Sequence, residues 1–173
     1  MNYLYMNLQF KILGFDEMIK WFIKHKSYRN DFEQLMKIHN SESKYNIGTL
    51  ISNNLNSNYK QPLLGKIILV INKDGELKEV ASSAIAELET SDKIYISNVF
   101  VKEEYRGKKL CQTMLMKLME SYKDDKNGTF MLDVNKANIG AIKCYENLGF
   151  KVIQEKHFYK DGQKSYYYVM EKV

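Results

Sequence analysis

Residues Val134 to Phe150 read VNKANIGAIKCYENLGF, and the fold of this chain is decided here. The segment opens as the end of an apolar strand, TFMLDV from Thr129 to Val134. Asn138 then stands where a helix needs a side-chain acceptor for its first free N–H groups. Ala141, Ile142, Tyr145 and Leu148 follow at a spacing that puts them on one helical face. Gly149 suits the left-handed residue that closes a helix, so a helix is expected over Asn138 to Leu148. Periodicity alone reads Tyr145 as a half-buried core tyrosine and Asn138 as a plain cap.

Upstream, Val101 to Cys111 reads VKEEYRGKKLC. Ile94 to Val101, β-branched and aromatic, is a strand that runs into an Arg-Gly turn. The period then turns helical, with Leu110, Met114, Leu115, Leu118 and Met119 on one apolar face. A helix N-terminus leaves several N–H groups unpaired and carries about half a positive charge. Arg106, Lys108 and Lys109 sit where cations oppose that dipole, which makes sense if an anion such as a diphosphate lies among them. The bland alternative is an ordinary strand-to-helix connection with a basic first turn.

Further out, Tyr3 to Leu13 alternates as a first strand, and two helices are expected with caps at Asp16 and Asp31. The first would bury Ile19, Phe22 and Ile23; the second carries Phe32, Leu35, Met36 and His39. Ser52 to Lys60, SNNLNSNYK, is a polar loop ahead of Pro62. Lys66 to Ile71 is a buried strand, Asn72 to Gly75 a tight turn, and Leu77 to Leu88 the returning strand. Asn127-Gly128 ends the long helix region, and strands Lys151 to His157 and Lys164 to Lys172 flank an Asp161-Gly162 turn. The order predicts an α/β (α+β) fold with a mixed, mostly antiparallel sheet of about six to seven strands and helices on both faces.

The chain has 173 residues, 45% hydrophobic and 27% charged, a globular balance suited to one domain over 1–173. Two cysteines, Cys111 and Cys144, are too few for a disulfide framework and lack zinc spacing, which suits a reducing compartment. No apolar run is long enough to span a membrane, and the N-terminus lacks a signal-peptide pattern, so a cytoplasmic location is expected. The net charge of +5 comes from scattered lysines, which disfavours a nucleic-acid-binding module.

Together the two segments resemble the GNAT superfamily of acetyl-CoA-dependent N-acetyltransferases, with likeness from about Lys66 to Met170. The family's second hallmark, V-N-x-x-N-x-x-A-x-x-x-Y-x-x-x-G-F, is matched by Val134, Asn135, Asn138, Ala141, Tyr145, Gly149 and Phe150. The family's phosphate loop, Q/R-x-x-G-x-G/A, aligns with Arg106, Gly107, Lys108, Lys109, Leu110 and Cys111. Lys109 and Cys111 stand in its small-residue positions. The resemblance implies acetyl-CoA as acyl donor and no metal. It places pantetheine along Val99, Phe100 and Val101, the diphosphate on Arg106 to Cys111, and Asn138 as a further cofactor contact. Tyr145 is implied as the acid for the departing thiolate, with direct attack by a primary amine and an oxyanion near the Val99 or Phe100 N–H.

The base stays open among Glu87, Glu89, His157 and water. Ser97 and Asn98 stand where many relatives carry an acid. The acceptor is a small amine or a protein or peptide amine. Tyr159, Tyr166 and Tyr167 either line a peptide groove or pack a terminal hairpin. The rival class is a non-catalytic acyl-CoA sensor on the same fold. A homodimer through the terminal strands completes the expectations.

Overall fold

A computed structural model describes residues 7–39, 65–72, 79–88, 92–123, 128–160 and 162–173. Seven strands form one sheet: β1 (Leu8–Gly14), β2 (Gly65–Asn72), β3 (Glu79–Leu88), β4 (Lys93–Val101), β5 (Thr129–Asn135), β6 (Lys151–Lys160) and β7 (Gln163–Lys172). Their order is β1-β2-β3-β4-β5-β7-β6. Every neighbouring pair is antiparallel except β4 and β5, which run parallel. The helices are α1 (Phe15–Lys24), α2 (Lys26–His39), α3 (Leu110–Glu120) and α4 (Ile139–Asn147).

Two apolar clusters place the helices on opposite faces. On one, the predicted α3 residues Leu110, Met114, Leu115, Leu118 and Met119 are all buried, with Ile142, Tyr145 and Leu148 of the α4 region and Ile68, Val70, Ile96, Leu132 and Val134 of the sheet. On the other, Phe15, Met18, Ile19, Phe22, Tyr28 and Phe32 cover Ile67, Leu69, Ile71, Ile85 and Phe100. Phe22 and Phe32 are wholly buried and stack at 5.3 Å. Removing such a ring from water stabilises the fold by about 2–3 kcal/mol.

The N-terminal half departs from expectation. α1 is capped by Gly14, not Asp16; Gly14 N donates to Glu17 Oε2 at 3.0 Å, and Asp16 lies in the first turn. Ile23 is exposed, and the buried face is Phe15, Met18, Ile19 and Phe22. Asp31 caps nothing: α2 runs through it, and its carboxylate accepts from Val80 N at 2.7 Å and from Lys102 Nζ at 3.0 Å. The polar loop at 52–60 lies outside the described residues, as do Pro62, Glu89, Asn127, Asp161 and the 72–75 turn beyond Asn72.

The two cysteines also correct the reading. Cys111 on α3 and Cys144 on α4, 33 residues apart, form a disulfide with Cα atoms 6.5 Å apart. Two cysteines make no framework, but the fold delivers them to each other, so cysteine usage no longer argues for a reducing compartment.

Candidate active site

The Val134–Phe150 motif resolves into a start signal and a stop signal. Asn138 Oδ1 accepts from Ala141 N at 3.2 Å, the expected cap. Asn135 Oδ1 accepts from Ala137 N at 2.9 Å, tightening the turn from β5. At the far end Gly149 adopts φ +89°. Phe150 N donates to Tyr145 O at 3.0 Å and Gly149 N to Glu146 O at 2.9 Å. These two bonds make a Schellman stop, whose apolar clasp is the edge-on contact of Tyr145 with Phe150 at 6.1 Å. Tyr145 is thus both core residue and anchor of the helix end. It is 5% exposed, and burial pushes its phenol up to about 12. The hydroxyl keeps its proton throughout the physiological range.

The mouth of α3 has no acidic residue in its first turn and no side-chain cap, unlike α1 with Asp16 and Glu17 and α4 with its Asn138 cap; α2 likewise lacks a first-turn acid. Helix geometry leaves its first N–H groups without intrahelical acceptors. The approach is tightly turned: Gly107 takes φ +72° and Lys109 φ +60° with ψ 12°. A lysine in that left-handed region costs on the order of 1 kcal/mol, strain of a kind that gathers at functional sites. Nothing lies within 4 Å of where a Cβ would stand on Gly107. Arg106 Nε folds back onto Val101 O at 3.0 Å, and Lys108 Nζ reaches Glu104 O at 2.8 Å. A bare, positively polarised helix end under an open glycine fits a diphosphate.

The loop is moored to the opposite face. Lys102 Nζ pairs with Glu79 Oε2 at 2.7 Å as well as Asp31, and Lys102 N donates to Ala81 O at 3.0 Å. Tyr105 O–H donates to Glu79 Oε1 at 2.6 Å and accepts from Asn72 Nδ2 at 2.9 Å. Burial works against the Lys102 charge, but hydrogen bonds to Glu79 and Asp31 outweigh it and hold the ammonium above its ordinary value. Burial and the Glu79 hydrogen bond push the Tyr105 phenol up to about 12.

Between loop and motif the sheet opens. The register of β4 with β5 runs from Lys93↔Thr129 to Ile96↔Leu132 and ends there. β5 continues beside β7, pairing Asp133 with Val169 and Asn135 with Tyr167. β4 stays with β3, but one residue is extra: Ile85 faces Ser97 while Ser83 faces Phe100. Asn98 carries φ +50° in this bulge, which re-aims the strand where it parts from β5. Val99 and Val101 pack toward α3 and α4, and Phe100 packs toward α1 and α2.

Sequence reasoning placed Ser97 on β4 but missed Ser83 and Asp133. Among the described residues, Ser83 Oγ, Ser97 Oγ and Asp133 Oδ1 are buried without a hydrogen-bond partner. Ser97 and Asp133 directly follow Ile96 and Leu132, the last registered pair. Alternation places both, with Ser83, on the α1/α2 face. Buried polar atoms ordinarily find partners, so three orphans on one face stand out. The other Asp133 oxygen is ion-paired with Lys156. The available signal was a charged residue inside the apolar strand TFMLDV.

The earlier base candidates are scattered. Glu87 faces Tyr95 in β3–β4 register, short of the opening. His157 is exposed on the edge strand β6, facing Tyr166, two strands or about 10 Å from β5. The three tyrosines divide: Tyr167 faces Lys156 on the Asp133 side and meets Phe158 edge-on at 5.4 Å, whereas Tyr159 and Tyr166 lie on the other side of the hairpin. The described residues hold no group of three or more His, Cys, Asp or Glu that could bind a metal, and no helix long and apolar enough to cross a membrane.

The profile described as the acetyltransferase (GNAT) family matches residues 19–150. The chain belongs to the GNAT family. An N-alpha-acetyltransferase of Saccharolobus solfataricus is 38% identical over 74 residues, 42% of this GNAT chain and 44% of that relative. The chain thus spans less than half the length of that curated relative. Arabidopsis thaliana NAA60, solved in complex with a bisubstrate analogue, superposes with a TM-score of 0.66 at 17% identity, covering 95% of this chain and 97% of that one. The ribosomal-protein-S18-alanine N-acetyltransferase of Escherichia coli gives 0.62 at 17% identity, covering 95% and 92%. At such identities these structures establish the shared fold.

Proposed function

We propose that this GNAT protein is an acetyl-CoA-dependent N-acetyltransferase, residues 1–173 forming one catalytic domain, and that its acceptor is the α-amine of a peptide chain. The parting of β4 and β5 carries the reading: it has a bare helix mouth and Tyr145 on one face and orphaned acceptors on the other. The N–H groups at the start of α3, with Arg106, Lys108 and Lys109, hold the diphosphate, and Asn138 borders the cofactor. The Ser97–Val101 edge guides the pantetheine arm.

An alkyl amine, ordinarily protonated with a pKa near ~10, must lose a proton before it attacks. Asp133 receives that proton, directly or through water held by Ser97 and Ser83. The neutral nitrogen adds to the thioester carbonyl, and main-chain N–H near Val99 or Phe100 stabilises the oxyanion. Collapse expels the thiolate, to which the Tyr145 hydroxyl gives its proton. A peptide acceptor is favoured by the relative's printed activity and by the aromatic pair Tyr167 and Phe158 on the Asp133 side. The sensor reading rested on the lack of an acid on β4; Asp133 on β5 supplies a carboxylate from the neighbouring strand.

The test mixes protein, acetyl-CoA and a panel of peptides, polyamines and amino sugars, then reads acetylated product by mass. Acetylated peptide N-termini are expected. Product from small amines alone overturns the acceptor assignment, and coenzyme A binding with no product from any amine returns the sensor reading.

A further inference from the structure

We infer that the Cys111–Cys144 bridge is a thiol–disulfide exchange site whose redox state sets the affinity for the acyl donor; this rests on the cofactor placement proposed above. These are the only two cysteines in the chain. The fold sets one in the first turn of α3, at the end of the proposed phosphate loop, and the other directly before Tyr145 on α4. The bond therefore ties the part that grips the diphosphate to the part that presents the acid. Nothing in the architecture demands it, since α3 and α4 are already held by the apolar cluster they share.

The two sulfurs are unequally placed. Cys144 is 7% exposed, whereas Cys111 is only partly buried. An incoming low-molecular-weight thiolate attacks the Cys111 sulfur, the S–S bond breaks, and Cys144 leaves as a thiolate that takes up a proton. A second thiol then displaces Cys111 from the mixed disulfide. Two thiols are oxidised to one disulfide while the bridge is reduced to two thiols, and a low-molecular-weight disulfide reverses the sequence.

Reduction acts unfavourably on the donor site. The loop loses its covalent link to α4, so more of its ordering falls due on binding. The oxidised form binds tightly and the reduced form weakly.

The experiment uses the full chain, prepared in an oxidised and a dithiothreitol-reduced state. Thiols are counted on the denatured protein, acetyl-CoA affinity is measured by calorimetry, and KM by mass-detected peptide acetylation. We expect no thiols in the oxidised form and two after reduction. KM and Kd for acetyl-CoA rise about threefold to tenfold on reduction, the range for ordering one freed side chain on binding, with kcat changed much less. Cys144→Ser shows the weaker affinity and ignores dithiothreitol. Two thiols in oxidant-treated protein, or equal affinity in both states, overturns the inference while leaving the acetyltransferase reading intact. Failure to bind acetyl-CoA in either state overturns both.

Discussion

The two faces of the sheet were built to different rules. The α3/α4 face is a periodic apolar core that ends in two helix termini, one left bare and one closed by a Schellman stop. Its features follow from spacing along the chain. The α1/α2 face carries the buried Phe22–Phe32 stack but also three orphaned oxygens and the Lys102–Asp31–Glu79 network. Its features depend on which residues the topology brings together. The helix signals of the α3/α4 face are thus local, whereas the polar groups of the α1/α2 face are gathered by tertiary contacts.

Substitutions can sharpen or break that division. The largest effect is expected at Tyr145: Tyr145→Phe lowers turnover about 10²-fold or more with little change in acetyl-CoA binding, as for a lost general acid. Steady-state kinetics beside calorimetry check it, and unchanged turnover removes the phenol from the mechanism. On the other face, Asp133→Asn lowers kcat/KM for peptide by about 10²-fold while coenzyme A binds as before. Equal losses in donor affinity would show the two faces are not separable.

A smaller effect separates them by pH. Tyr145, pushed up to about 12 by burial, holds its proton when the unfolded phenol, near ~10, has lost it. Between those values the folded chain binds more protons, so stability falls as pH rises from 10 to 12, by up to about 2–3 kcal/mol from this group. Tyr105 contributes in the same direction. The midpoint of denaturant melts should fall across that range for wild type and fall less in Tyr145→Phe. Smallest is the contrast within the hairpin: Tyr167→Ala raises KM for peptide severalfold and Tyr166→Ala hardly at all, about 1 kcal/mol for an aromatic contact. The reverse order would place the acceptor on the opposite side.

The same division explains what could be read from the chain beforehand. The α3 stripe, the Asn138 cap and the Gly149 stop were legible because each depends on residues within about two turns of one another. Gly14 as the α1 cap was not, since glycine offers no side-chain signal and Asp16 imitates one. Asp31 looked like a cap for the same chemical reason that it accepts from Val80 and Lys102. The cysteine pairing, the β4 bulge and the burial of the Asp133 oxygen beside the end of the β4–β5 register depend on contacts that local pattern does not contain.

Gly149 shows how far a remote position reaches into the chemistry. Its φ of +89° is costly for any residue with a side chain, and a methyl group there would lie 3.1 Å from Lys172 Nζ. Lys172 Nζ also donates to Leu148 O at 2.6 Å, so the crowding falls on the contact that steadies the end of α4. A mutation at this glycine is expected to slow turnover by disturbing the end of the helix that carries Tyr145. Screens for inactive variants should therefore recover position 149 alongside position 145.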